Sequence, residues 1–177
     1  MIITEVVGMA DVTKAKKELV NKFIKYENAV SLYEKYVYYM LYQVHGGIRN
    51  CKKQDRLNFL TIPFAKYIES YIYICYYICS FRLNKISYLK FQADIASVLE
   101  AVDLYATNFI KNSDTVEFDV IDRVSRKKLC KIKIDKNSTD LDDIILLFND
   151  IINRLNNKNV SELYKITTDK IKNGELF

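Results

Sequence analysis

The chain has 177 residues, of which 50% are apolar and 28% are charged, and this balance excludes an intrinsically disordered protein. One proline and four glycines argue against a meander of many short strands and favour long helices. The net charge of +5 is modest for a protein that neutralises many phosphates, so the clustering of the cations matters more than their sum.

The first predicted element is a long helix over residues 11–45, preceded by a segment, 1–10, that could form a strand. Apolar residues recur every three or four positions, as on one helical face. They are Leu19, Phe23, Tyr26, Val30, Tyr33, Val37, Met40 and Val44. Such a helix would be roughly 50 Å long. We therefore expect it to pack along a bundle or against a second copy, and the first six positions form a predicted self-association face.

A second helix is predicted over residues 61–83, with Thr61 as its N-cap and Pro63 in its first turn. Its centre is the uncharged stretch SYIYICYYICSF, residues 70–81. This run of about a dozen residues is too short for a membrane span, which needs about 20. A buried strand is the alternative, but the apolar run reaches back to Phe59, which is helix length. We predict a buried central helix.

The third predicted helix covers residues 86–111 and completes a helical bundle domain over residues 11–113. Its stripe repeats the spacing of the first helix. The members of this stripe are Tyr88, Phe91, Ile95, Val98, Val102, Tyr105 and Phe109.

The pattern then changes to the alternation of strands, in TVEFDVID and KKLCKIKID. One antiparallel register pairs Val116 with Ile134, Phe118 with Ile132, Val120 with Cys130, Glu117 with Lys133 and Asp119 with Lys131. This register places apolar pairs on one face and opposite charges on the other. It predicts a β-hairpin whose loop runs from about Arg123 to Lys127.

Two helices are predicted after the hairpin. The first begins near Asp140, with an acidic first turn and an apolar stripe from Leu141 to Leu155. The second is capped by Asn159 and Glu162 and ends at Gly174. Residues 114–177 would form a ββαα unit, to which the segment IITEVV near the N-terminus could add a strand. The predicted class is α+β and predominantly α: a three-helix bundle, a β-hairpin and two C-terminal helices.

Candidate chemical groups are few. Cys75 and Cys79 lie on one helical face, where small buried residues are the simplest interpretation, and no set of zinc ligands accompanies them. His45 lacks a nucleophile or carboxylate partner in the sequence. We predict no cofactor, no metal and no enzymatic activity, although carboxylates gathered from distant segments could build a metal-dependent nuclease or hydrolase. Four cysteines without a visible signal peptide predict free thiols and a cytoplasmic location.

Basic residues give the best functional indication. The predicted hairpin loop and the connection after the first helix each carry a cationic group: Arg123, Arg126, Lys127 and Lys128, and Arg49, Lys52, Lys53 and Arg56. A third group, Lys14, Lys16 and Lys17, opens the first helix. Ordinary solvated loops are the simpler interpretation. The functional hypothesis is a non-enzymatic protein that contacts the backbone of DNA or RNA within a nucleoprotein assembly. The alternative is a structural or adaptor protein that self-associates through the first helix.

Overall fold

A computed structural model of the chain describes residues 13–31 and 63–173. Within them the elements are α1 (13–31), α2 (Pro63–Arg82), α3 (Tyr88–Glu100), β1 (Leu104–Lys111), β2 (Thr115–Asp122), β3 (Lys128–Asp135), α4 (Asp142–Arg154) and α5 (Lys158–Lys172). The strands form one antiparallel sheet in the order β1-β2-β3. The mixed, predominantly helical class is as predicted. The order of elements is matched only in part, because the sheet contains a strand that was predicted as helix.

Helix α2 lies at the centre of the molecule, as predicted. Ile72, Ile74 and Cys75 have no exposed surface, and α2 contacts α3, α4 and α5. The helix begins at Pro63 and ends at Arg82, while Thr61 lies outside the described residues. In the ranges 13–31 and 63–173, no helix combines the length and the apolar character that a bilayer crossing requires.

The stripe of α1 packs against this central helix. Leu19, Phe23 and Tyr26 are buried. The ring of Phe23 stacks on Tyr76 with centroids 5.5 Å apart, and the hydroxyl oxygens of Tyr26 and Tyr71 are 3.3 Å apart. The rest of the predicted helix over 11–45 lies outside the described residues. The residues of this stripe that the structure describes therefore belong to the core of their own chain.

The predicted third helix is wrong beyond Glu100. Ser87 caps α3, since its hydroxyl oxygen accepts the N–H of Lys90 at 3.2 Å, but a turn through Asp103 (φ 59°) then leads into β1. The register of β1 against β2 shifts between Thr107 and Ile110, so β1 carries an extra residue at a β-bulge. The side chains here that face the core are Val102, Leu104, Ala106 and Phe109, with the extra residue between the last two. Tyr105, which belonged to the predicted helical stripe, is exposed. Apolar residues lie on both faces of this strand, so their spacing also fitted a helical stripe.

The predicted register of β2 and β3 is confirmed at every pair. Val116 faces Ile134, Phe118 faces Ile132 and Val120 faces Cys130, while the charged pairs are Glu117–Lys133 and Asp119–Lys131. On the apolar face, the β2 side chains and both isoleucines of β3 are buried. The strand beside β2 on its other edge is β1, and the segment IITEVV lies outside the described residues.

Helix α4 begins with Asp142 and Asp143 and buries Ile144, Phe148 and Ile152 against α2 and β3. The predicted start of the last helix is wrong, because α5 begins at Lys158, one residue before the expected cap. The N–H of Ser161 donates to the carbonyl of Asn157 at 3.0 Å, and this hydrogen bond closes the first turn of α5.

The buried side chains form one cluster to which every described element contributes. This cluster includes residues from both of the units predicted from sequence, 11–113 and 114–177. The division of the chain into these two units stays a prediction.

Candidate nucleic-acid interface

The β2–β3 loop lies where the sequence predicted it. Strand β2 ends at Asp122 and β3 begins at Lys128, so the loop between them covers residues 123–127. Arg123, Arg126, Lys127 and Lys128 are all exposed. Four cations therefore project from one end of the sheet.

Asp122 organises the backbone of this loop. Its Oδ1 accepts the N–H of Val124 at 2.8 Å and that of Ser125 at 3.0 Å, which is an Asx turn. Its carbonyl accepts the N–H of Arg126 at 2.8 Å, and its own N–H donates to the carbonyl of Lys127 at 2.9 Å. The N–H groups of Ser125 and Val124 hold the pKa of the Asp122 carboxyl below its usual range. The cations thus stand on an ordered backbone.

Two further features fix the position of the loop. Arg126 occupies the left-handed region, with φ 61°, and the hydroxyl oxygen of Ser125 accepts the N–H of Lys127 at 3.3 Å. The N–H of Arg123 donates to the carbonyl of Asp103 at 3.0 Å. The loop is therefore joined to the turn that precedes β1.

The four cations differ in their partners. The Nζ of Lys128 lies 3.2 Å from Oδ1 of Asp119, whose Oδ2 accepts the side-chain N–H of Asn108 at 3.0 Å. The Asn108 amide and then the Lys128 ammonium lower the pKa of Asp119. In the described part of the chain, no carboxylate forms an ion pair with Arg123, Arg126 or Lys127. These three are the cations that are available to a partner.

The face of the sheet that is turned away from the core is mixed in charge. Lys131 and Lys133 are exposed on β3 and lie opposite Asp119 and Glu117. Their charges are therefore partly balanced, as the cross-strand pairing predicted. The excess of positive charge is at the loop.

The sequence did not identify Arg154 as a neighbour of the loop. It lies in the last turn of α4, 3.0 Å from the carboxylate of Asp150, and its positive charge contributes to the lowered pKa of Asp122. Only the packing of α4 on β3 brings it to this end of the molecule. A basic residue in the last turn of a helix is visible in the sequence, but its distance from the loop is not.

The remaining predicted positions are not brought to this site. Arg49, Lys52, Lys53 and Arg56 lie outside the described residues, as do His45, Tyr33 and Val37. Leu19, Phe23 and Tyr26 of the predicted self-association face are buried and Val30 is half-buried, so these positions offer little surface to a second copy. Self-association through this face stays a prediction.

Cys75 and Cys79 are fully buried, in agreement with their interpretation as small core residues. Burial raises the pKa of the Cys79 thiol to about 11 and raises that of Cys75 as well, so both are protonated near neutral pH. Among the described residues, no group of His, Cys, Asp and Glu is arranged to hold a metal ion.

Comparison of the chain with protein-family models, curated proteins and solved structures gives no match. The candidate interface is consequently defined by its own exposure, hydrogen bonding and charge.

Proposed function

We propose that this protein is a non-enzymatic binding protein that contacts the phosphate backbone of DNA or RNA through the β2–β3 loop. The observation that carries the proposal is the set of three exposed cations, Arg123, Arg126 and Lys127, that have no ion pair within the described residues. Guanidinium groups bind phosphate oxygens in a bidentate manner, and a lysine ammonium binds them as a point charge.

The shape of the site also supports backbone contact. The loop joins two strands at one end of the three-stranded sheet, and such a projecting β loop can lie across a phosphate backbone or enter a groove. Lys128 and Arg154 stand beside the loop, where they pair with Asp119 and Asp150 and add positive charge near the contact. Backbone contacts position a protein without reading sequence, so we expect little preference among base sequences.

The proposal also includes a cytoplasmic location. Cys75, Cys79 and Cys130 are unpaired thiols, which fit the reducing cytoplasm. There the protein would act within a nucleoprotein assembly, and the ordered loop would lower the entropy lost when a strand binds.

The decisive experiment replaces Arg123, Arg126 and Lys127 together by alanine. Binding of labelled single-stranded and double-stranded oligonucleotides is measured by fluorescence anisotropy between about 50 and 200 mM salt, the range over which phosphate contacts weaken strongly. Each lost contact reduces the slope of log K against log salt by about 0.9 for duplex DNA and about 0.7 for single strands, so we expect a reduction of about 2 to 3.

A matched control removes the same charge from other surfaces. Lys14, Lys17 and Lys165 are exposed lysines on α1 and α5 that form no ion pair within the described residues, and their joint replacement by alanine should leave binding nearly unchanged. Equal losses in both triple variants would mean that only net charge matters. The absence of any binding by the wild-type protein at 50 mM salt would also rule out the proposal.

A further inference from the structure

A second concentration of positive charge lies at the opposite end of the sheet. There α1, the end of α2 and the segment between β3 and α4 enclose a cleft of about 390 Å³. Lys16, Arg82 and Lys136 line it together with polar side chains and with the apolar Ala15, Leu19 and Leu83, and none of the described residues that line it is Asp or Glu.

The cleft is remote from the β2–β3 loop. Arg82 binds the carbonyl of Asp135 at the end of β3, whereas the loop precedes Lys128 at its start. Strands rise about 3.3 Å per residue, so the two sites are roughly 25 Å apart. Substitutions at the cleft and substitutions at the β2–β3 loop can therefore be tested separately.

Arg82 is the unusual residue of the cleft, because it is a cation that is only 6% exposed. Its Nε donates to the carbonyl of Asp135 at 3.0 Å and its Nη1 to the carbonyl of Asp140 at 2.6 Å. Within the described ranges, no carboxylate forms an ion pair with it. Burial lowers its pKa, but a guanidinium remains charged in proteins. Burying a charge is costly, and an anion in the cleft would stabilise this one in addition to the backbone carbonyls that it binds.

The carboxylates closest along the chain are engaged in their own loop. Oδ1 of Asp135 accepts the N–H of Asn137 at 2.9 Å, and Oδ1 of Asp140 accepts the N–H of Asp142 at 2.6 Å. They raise the pKa of Arg82, which places their charge within range of the guanidinium, and together with Arg82 they line a neighbouring cavity and not this cleft. The charged side chains that line the cleft are all cationic, and they are interspersed with the apolar side chains of Ala15, Leu19 and Leu83.

Hydrogen bonds from two lysines join the elements around the cleft. The Nζ of Lys136 donates to Oδ1 of Asn84 at 2.8 Å and lies 4.6 Å from the centre of the Phe81 ring. Lys22, which lies 3.7 Å from Glu18, donates to the carbonyl of Thr139 and ties α1 to the same segment. Lys16 stands exposed at the rim.

We propose that this cleft binds a phosphate group. Its volume lies within the range of about 300–1,000 Å³ that is usual for small-molecule sites. Arg82 and Lys136 supply the charge at the wall and Lys16 supplies it at the rim, while Ser138 and Thr139 offer hydroxyl donors. The phosphate belongs either to a small molecule such as a nucleotide or to a nucleic-acid backbone, and the two sources are separated by experiment.

The test uses the full chain with Lys16→Gln and Lys136→Gln combined, which spares the buried Arg82. Binding of inorganic phosphate and of adenosine monophosphate is measured by calorimetry at 50 mM salt. We expect the Kd of both probes to rise at least about tenfold. The control combines Lys14→Gln with Lys17→Gln, which removes the same charge from exposed positions of α1 that do not line the cleft, and it should bind as the wild type does.

An oligonucleotide distinguishes the two sources. If the cleft variant also weakens oligonucleotide binding and inorganic phosphate competes with the oligonucleotide, the phosphate is that of a backbone. If only adenosine monophosphate and inorganic phosphate are affected, the ligand is a small molecule. Both results support phosphate binding at the cleft.

Three outcomes would overturn this inference. They are no phosphate binding by the wild type, equal loss in the two double variants, and loss of phosphate binding on changing Arg123, Arg126 and Lys127 instead. Because the last variant leaves the cleft intact, failure of the loop as a nucleic-acid contact does not affect the result at the cleft.

Discussion

At the scale of single residues, the acidic Asp122 stabilises the conformation of the basic loop. Net charge alone suggests that its removal would strengthen binding of a polyanion. Its Oδ1, however, accepts two backbone N–H groups of the loop. The position of the neighbouring cations depends on these hydrogen bonds.

We expect Asp122→Ala to weaken oligonucleotide binding, because the loop loses its Asx turn and must be ordered when the ligand binds. Asp122→Asn keeps a side-chain oxygen that can accept the same N–H groups, and it should bind more tightly than the alanine variant. Anisotropy titrations at a single salt concentration compare the two. Tighter binding by the alanine variant than by the wild type would show that charge outweighs loop order.

At the scale of elements, β1 is the main error of the sequence-based prediction, and it contains a β-bulge around Asn108. Asn108 is in the left-handed region with φ 55°, and its amide donates to Asp119. Asparagine tolerates this conformation better than most residues. Local periodicity favoured a helix here, but pairing with the open edge of β2 gives a strand.

The bulge leads to a stability prediction. Asn108→Val places a β-branched residue at a positive φ and should destabilise the protein by about 1–2 kcal/mol from the backbone conformation alone. Asn108→Gly also loses the hydrogen bond to Asp119 but accepts the conformation, so its loss should be smaller. Urea unfolding monitored by circular dichroism measures both. If glycine is as damaging as valine, the left-handed conformation is not the cause.

At the scale of the whole molecule, the core is unusual in the titratable groups that it buries around α2. Tyr26, Tyr71 and Tyr164 surround Cys75 and Cys79, and burial raises the pKa of each. The Tyr71 ring makes edge contacts with Phe148 and Tyr164, at centroid distances of 5.8 and 6.1 Å. These groups are neutral in the folded protein at pH values where they ionise in the unfolded chain.

The free energy of unfolding should therefore fall as the pH rises above about 9, where the unfolded thiols release protons that the folded state retains. The decline should steepen near pH 10, where unfolded tyrosines ionise. Urea titrations at pH 7, 9 and 10 measure this dependence, and Cys79→Ala should reduce its slope between pH 9 and 10. A free energy that does not change from pH 7 to 10 would contradict the prediction.

The sequence by itself determined α2 as a buried helix, the register of β2 and β3, and the position of the basic loop. These features are set by short-range rules: helical or strand spacing, matched apolar and charged pairs, and a run of cations between two strands. In the predicted register, Phe118 could face Ile132 only if Asp119 faced Lys131, and this double requirement left few alternative registers for the two strands.

The tertiary structure decided the rest. It made a strand of 104–111 because β2 had an open edge to pair, and it brought Arg154 to the loop because α4 packs on β3. It also gathered Lys16, Arg82 and Lys136 from three separate segments around one cleft. Contacts between residues far apart in the chain depend on how the elements pack, and no local pattern records that packing.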